Sequence, residues 1–197
     1  MTLVAAVADA APVAEVADVG PAARPPLHEG QVRALLDTVP DPEIPNVSIT
    51  ELGMIGAIDV SAGRIRVELL PTFVGCPAVE LIRTGIAERL GVLGTPVEVV
   101  VSFATPWTTD RISPAGRDKL RQSGFAPPPP AASSGRSLPV LDLGATRVRE
   151  EEPADGIACP YCGSNRTVLE SAFGPTLCRS IRHCAACRQP FEAFKTI

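Results

Sequence analysis

Two cysteine pairs, Cys159-Pro-Tyr-Cys162 and Cys184-Ala-Ala-Cys187, lie 21 residues apart near the end of the chain. A C-x2-C pair supports two chemistries. As a redox dithiol, its first sulfur sits at a helix N-terminus, where the dipole lowers the thiol pKa. As a metal knuckle, both sulfurs face one ion, and two such pairs supply the four thiolates that zinc takes in a tetrahedron. The segment after Cys162 decides for the metal, because "RTVLESAF" and "LCRSIRH" around "GPT" read as a hairpin and not as a helix. Iron fits the same four-thiolate geometry, and spacing does not separate it from zinc. A segment of about 40 residues cannot bury a sufficient core, and a structural metal is the usual remedy. Cys178 would lie ~20 Å from Cys184 on a regular strand, so it reads as a small hydrophobe of the hairpin. His183 adjoins a ligand whose ion is already four-coordinate.

A second chemistry sits upstream. In "PTFVGCPAVELI", Cys76 stands between Gly75 and Pro77 where a strand gives way to a helix, a place where free N–H groups and the helix dipole stabilise a thiolate. Cys76 is a candidate metal or cluster ligand or a nucleophile, and an inert buried cysteine accounts for its context equally well. Asp41 and Glu43 lie on the proline-stiffened loop "DPEIP", where carboxylates cap a helix, brace a turn or assist a metal. The only histidines are His28 and His183, which disfavours a cysteine hydrolase. The chain also lacks the paired Glu and Glu-x-x-His pattern of a di-iron carboxylate centre and any Gly-rich dinucleotide fingerprint.

The elements that must position these residues follow from periodicity. Val32, Leu35, Leu36 and Val39 recur at helical spacing up to a stop at Pro40, Pro42 and Pro45. Residues 55–60 and 64–70 read as a hairpin through "SAG", and Val79, Ile82, Ile86 and Leu90 mark one face of a helix that Pro77 opens. "PVEVVVS" reads as a buried strand, and "SPAGRDKLRQSG" as a helix capped by Ser113 and stopped by Gly124. This order specifies an α+β fold, a two-layer helix and sheet domain over residues 28–125. A Pro-rich and acidic linker is expected over 126–156 and a zinc ribbon over 157–197, with residues 1–27 as a disordered leader.

The 197 residues carry 18 Lys and Arg against 22 Asp and Glu, a net charge of −4 that provides no global field for nucleic acid or anionic lipid. No apolar run reaches the ~18 residues of a membrane span. The start lacks a basic n-region, so neither a signal nor a transit peptide is expected. Six cysteines without an export signal point to a reducing compartment, with the cytoplasm as default.

Four motifs in order, "DPEIPNVSITELGMIG", "PTFVGCPAVE", "PWTTDRISPAGRDKLRQSG" and the terminal "CPYC…FGPTLC…CAAC…PFEAFK", resemble the PaaD family, also called PaaJ, of the phenylacetyl-CoA epoxidase (phenylacetate-CoA oxygenase) system. The first part is similar to SufT-like iron-sulfur assembly proteins, whose motif cysteine corresponds to Cys76. The resemblance implies a metal or cluster role for Cys76, with Asp41 and Glu43 near it. It also implies a non-catalytic accessory protein that serves the oxygenase and reductase components. Family members often end in "FKC", whereas this chain ends "FKTI", with Thr196. The expected function is maturation, in which iron or an iron-sulfur cluster is carried transiently. One thiol cannot hold a cluster, so Cys76 would need a dimer mate, a client or a small thiol. Two alternatives stand beside it. One is a nucleic-acid-binding or structural ribbon using Arg166, Arg179, Arg182, Arg188 and Lys195; the other is a thiol enzyme using Cys76.

Overall fold

The structure, a computed structural model, describes residues 26–61, 63–129 and 156–195. Nearly all of the expected leader and most of the expected linker therefore lie outside the described residues.

Helix α1 (Glu29–Leu36) opens where the Gln31 side chain accepts the His28 backbone N–H at 3.2 Å, and it buries Val32 and Leu36. The Pro40–Pro45 loop follows. Strands β1 (Ile55–Ser61) and β2 (Arg64–Leu69) form the expected antiparallel hairpin. In β2 the alternation is clean: Ile65, Val67 and Leu69 point inward and Arg64 and Arg66 outward. Helix α2 (Val79–Gly91) buries Ile82, Ile86 and Leu90, and returns the chain to β3 (Val97–Val101), which pairs parallel with β2. Pro77 precedes the helix, whose cap is Ala78. Strand β3 is half-buried and not fully covered, because the sheet order β1-β2-β3 leaves it at an edge. Helices α1 and α2 pack on each other and on this sheet, giving the two layers of the α+β fold.

The "PWTTDRIS" segment fastens the turn that precedes β1. The Trp107 indole N–H donates to the Leu52 carbonyl at 2.8 Å, and Arg111 donates to the carbonyls of Gly53 and Ile55 at 2.8 and 3.0 Å. Gly53 is required there twice over. Its φ is +70°, and a Cβ would meet the Arg111 carbonyl oxygen at 2.4 Å. Ser113 caps α3 (Pro114–Gln122) as expected, accepting the Gly116 N–H at 3.0 Å.

From α3 the chain enters a second sheet directly. Strand β4 (Phe125–Ala126) pairs parallel with β7 (Pro190–Phe194), in the order β4-β7-β6-β5 with β5 (Thr167–Ser171) and β6 (Arg179–Cys184). Ala126 is fully buried and Pro128 accepts from Arg117, so residues 126–129 belong to the folded body. The second sheet packs onto the first part: Phe194 of β7 and Cys178, just before β6, share a hydrophobic cluster with Leu36, Ile82 and Leu120 of the three helices.

Trp107→Phe removes the indole N–H and strands the buried Leu52 carbonyl, an unsatisfied polar group that costs about 1–3 kcal/mol before the lost packing of the smaller ring is added. Denaturant melts should show that loss with an unchanged slope.

Candidate functional site

The four knuckle cysteines converge. Their sulfurs all lie within 4.8 Å of one another, with Cys159 to Cys187 at 3.7 Å and Cys162 to Cys184 at 3.6 Å. A tetrahedral ion with metal–sulfur bonds of ~2.3 Å requires sulfur–sulfur edges of ~3.8 Å, so the set fits a metal. Gly163, at φ +72°, closes the first knuckle by donating to the Cys159 carbonyl. The Cys187 N–H holds the Cys184 sulfur and lowers its pKa to about 6, which favours the thiolate that binds metal. Ala126, Ile157, Phe191 and Ala193 surround the buried Cys159 and Cys184. This is a small zinc ribbon with a metal-binding cysteine cluster. His183 is not part of it.

The second site forms where the proline loop meets the Cys76 loop. Asp41 is buried, and its Oδ1 accepts the N–H groups of Glu43 and Ile44, both at 2.9 Å, so it braces the turn from within. Burial raises its pKa above the ordinary carboxylate value. Cys76 lies in the turn before α2, half-buried against the core, and Gly75 precedes it at φ +83°. The expected thiolate stabilisation is only partly realised. Burial raises the Cys76 pKa most. The Ala78 N–H pulls it down, and the charges of Cys178, Glu43 and Asp41 raise it further. Desolvation outweighs the N–H group, so the net shift is upward and the resting thiol is protonated.

Sequence reasoning missed the burial of Arg179, and it read Cys178 as a small hydrophobe outside the knuckles without showing what it packs against. Arg179 is 5% exposed and ion-pairs with Glu43 on the proline loop and with Glu192 on β7, the latter at 2.8 Å. Its guanidinium lies over the Phe125 ring, 4.9 Å from the centroid. Burial disfavours the charge, but Glu192 and Glu43 outweigh that and raise the pKa. Cys178, immediately before it, is carried to the groups around Cys76, not to the knuckles. The available signal was "FGPTLC", a motif containing a cysteine that no knuckle uses. Arg182 is 3% exposed. With Arg179 and Arg182 both inside, the basic patch expected for a nucleic-acid reading loses two of its five cations. No helix among the described residues is long and apolar enough to cross a membrane.

An α+β domain followed by a small zinc ribbon defines a two-part class, and comparison with known proteins identifies both parts. Residues 29–103 match the family described as iron-sulfur cluster assembly protein, and residues 144–195 match the PaaD zinc beta ribbon domain. The D subunit of the Escherichia coli (strain K12) "Putative 1,2-phenylacetyl-CoA epoxidase" is 38% identical over 176 residues, spanning 89% of this chain and 96% of that one. The chain belongs to the family of that D subunit. Two solved structures are also similar to about half of this chain. A domain of unknown function, DUF59, from Bacillus anthracis is 26% identical, with a TM-score of 0.44, over 47% of this chain and 90% of its own. A conserved hypothetical protein from Thermotoga maritima is 27% identical, with a TM-score of 0.42, over 48% and 94%.

The raised Cys76 pKa fixes a pH profile. Alkylation of Cys76 in the zinc-loaded protein should be slow at neutral pH, with its midpoint above the ordinary 9.0. Glu43→Gln removes a nearby negative charge, so the midpoint should move down and modification at pH 8 should speed up. Iodoacetamide rates read by peptide mass check both directions.

Proposed function

We propose that this protein is a non-catalytic maturation factor of the phenylacetyl-CoA epoxidase system, and that its cargo is iron or an iron-sulfur cluster for the oxygenase or reductase component. The observation that carries this reading is the thiol Cys76 beside Asp41 and Glu43, on a domain of the iron-sulfur assembly family, in a chain whose relative is named a subunit of the epoxidase. Thiolates suit iron and its clusters, and nearby carboxylates favour a cation. The Phe73 and Val74 side chains, on the Cys76 loop, and Phe173 and Leu177, near Cys178, are exposed. They give a protein client apolar surface to bury beside the thiols. The sequence itself, with two histidines and no dinucleotide fingerprint, is equipped to assist a redox chain and not to be one.

Zinc is the metal we assign to Cys159, Cys162, Cys184 and Cys187, and its role there is structural, closing a segment with little core of its own. One zinc per chain is expected by metal analysis. Its removal should melt residues 157–195, read by hydrogen exchange; a metal-free chain with an intact ribbon would refute the assignment.

Deletion should block growth on phenylacetate, while fully metallated oxygenase and reductase should epoxidise phenylacetyl-CoA without this protein. Partner components purified from deleted cells should be low in iron and labile sulfide. Normal metal content together with a turnover requirement for added protein would overturn maturation and favour a stoichiometric structural subunit. Cys76→Ser should reproduce the deletion with little change in stability, since the two side chains differ little in volume.

A further inference from the structure

Strand β6 carries a buried cation at one end and a knuckle cysteine at the other, since Arg179 opens it and Cys184 closes it. At its end Arg179 is ion-paired to Glu192 of β7 at 2.8 Å and to Glu43 of the proline loop, over the Phe125 ring. The turn before it is drawn close. Arg179 donates its N–H to the Thr176 carbonyl at 3.1 Å, Gly174 donates to the Arg179 carbonyl at 3.0 Å, and a Cβ on Gly174 would meet the Arg179 carbonyl carbon at 3.0 Å. The proline loop is closed by its own hydrogen bonds, from the Asp41 N–H to the Val47 carbonyl at 2.8 Å and from the Val47 N–H to the Ile44 carbonyl at 2.9 Å. Ile44 and Val47 bury in the domain, and Glu43 reaches out of the loop to the ribbon.

We propose that Arg179 is a positioning residue that couples the metal state of the ribbon to the proline loop. With zinc in the knuckles, β6 is fixed and its arginine holds Glu43; without zinc, that hold is lost and the turn that carries Asp41 and Glu43 loosens. This rests on the assignment of zinc to the four cysteines. Cys162 precedes β5, Cys184 ends β6 and Cys187 precedes β7, so one ion gathers all three strands. Removing it frees a segment whose inner cluster is a few residues, and Arg179 leaves Glu43 as β6 melts. The loop then keeps only its apolar anchors. The folded and the melted ribbon are the two discrete states that a coupling of this kind requires. The carboxylates assigned to the cargo site are therefore held in place only in a chain whose ribbon is metallated.

The test is hydrogen exchange of the full chain, zinc-loaded and after chelation under reducing conditions, read at the hydrogen-bonded Asp41, Val47 and Ile49 amides, with zinc content measured on the same samples. In the wild type, zinc removal should speed exchange at those amides about tenfold or more, together with loss of protection across β5, β6 and β7. Glu43→Ala leaves Arg179 its Glu192 partner and cuts the link at the loop. Its loop amides should exchange fast with zinc bound and should not respond to zinc removal, while its ribbon still melts. Arg179→Met should behave as Glu43→Ala does; should it fail to fold, Glu43→Ala still decides. A melted ribbon beside an unchanged proline loop in the wild type would overturn the coupling and leave the zinc assignment standing. A loop that responds to zinc as fully in Glu43→Ala as in the wild type would overturn the role of Arg179. A ribbon that stays folded without zinc would refute the zinc assignment and the coupling with it.

Discussion

Arg179 is held from two directions, by Glu43 on the proline loop of the first domain and by Glu192 on β7 of the ribbon, with the Phe125 ring beneath it. Taking a guanidinium out of water costs several kcal/mol before any partner is counted. Two carboxylates and a π-face offset that cost without leaving a large surplus, so the link is a weak source of stability. Its value lies in position. A hydrophobic contact between ribbon and domain would tolerate sliding. A buried cation shared by two particular carboxylates tolerates almost none, because any shift strands a charge. This constraint ties the start of β6, next to Cys178, to the proline loop of the first domain.

The ribbon is poorly able to hold that position alone. Its inner cluster is a few residues around Cys159 and Cys184. Its other anchors are borrowed: β4 arrives from the first domain, and Phe194 and Cys178 pack into that domain's core. A metal in the knuckles ties the two ends of the β5–β6 hairpin together, since Cys162 precedes β5 and Cys184 closes β6. The metal centre and the Cys76 site therefore sit at opposite ends of β6. One end fixes the strand, and the other uses it.

What could be read from the sequence divides along the same line. The knuckles, the hairpins and the α+β order are local patterns of spacing and period, and short-range geometry determines them. Cys178 was measured only against Cys184, along its own strand. That distance correctly excluded it from the knuckles but could not show which group from the other end of the chain would meet it. Arg179 and Arg182 were counted as surface charge because cations usually are, and only the tertiary partners of Arg179, Glu43 and Glu192, make its burial affordable. The raised Cys76 pKa was not legible for a related reason. A helix N-terminus is visible in sequence, whereas desolvation by a packed neighbour is not. Strand β3 read as buried because a run of valines is ambiguous between a central strand and an apolar edge.

Burial around Cys76 also bears on how a transient carrier would work. A thiol with a depressed pKa is a thiolate at rest, open to oxidation and to any passing electrophile. Here burial, joined by the charges of Cys178, Glu43 and Asp41, keeps the thiol protonated, and on the maturation reading a metal would bind by displacing that proton. The nearby carboxylates favour a cation as they favour the proton, so on that reading proton and metal would compete for one site. On the maturation reading, that competition makes the hold on cargo conditional. The knuckles offer four sulfurs to one ion, whereas on that reading the Cys76 site offers one thiol beside carboxylates, a smaller donor set that releases its ion more readily.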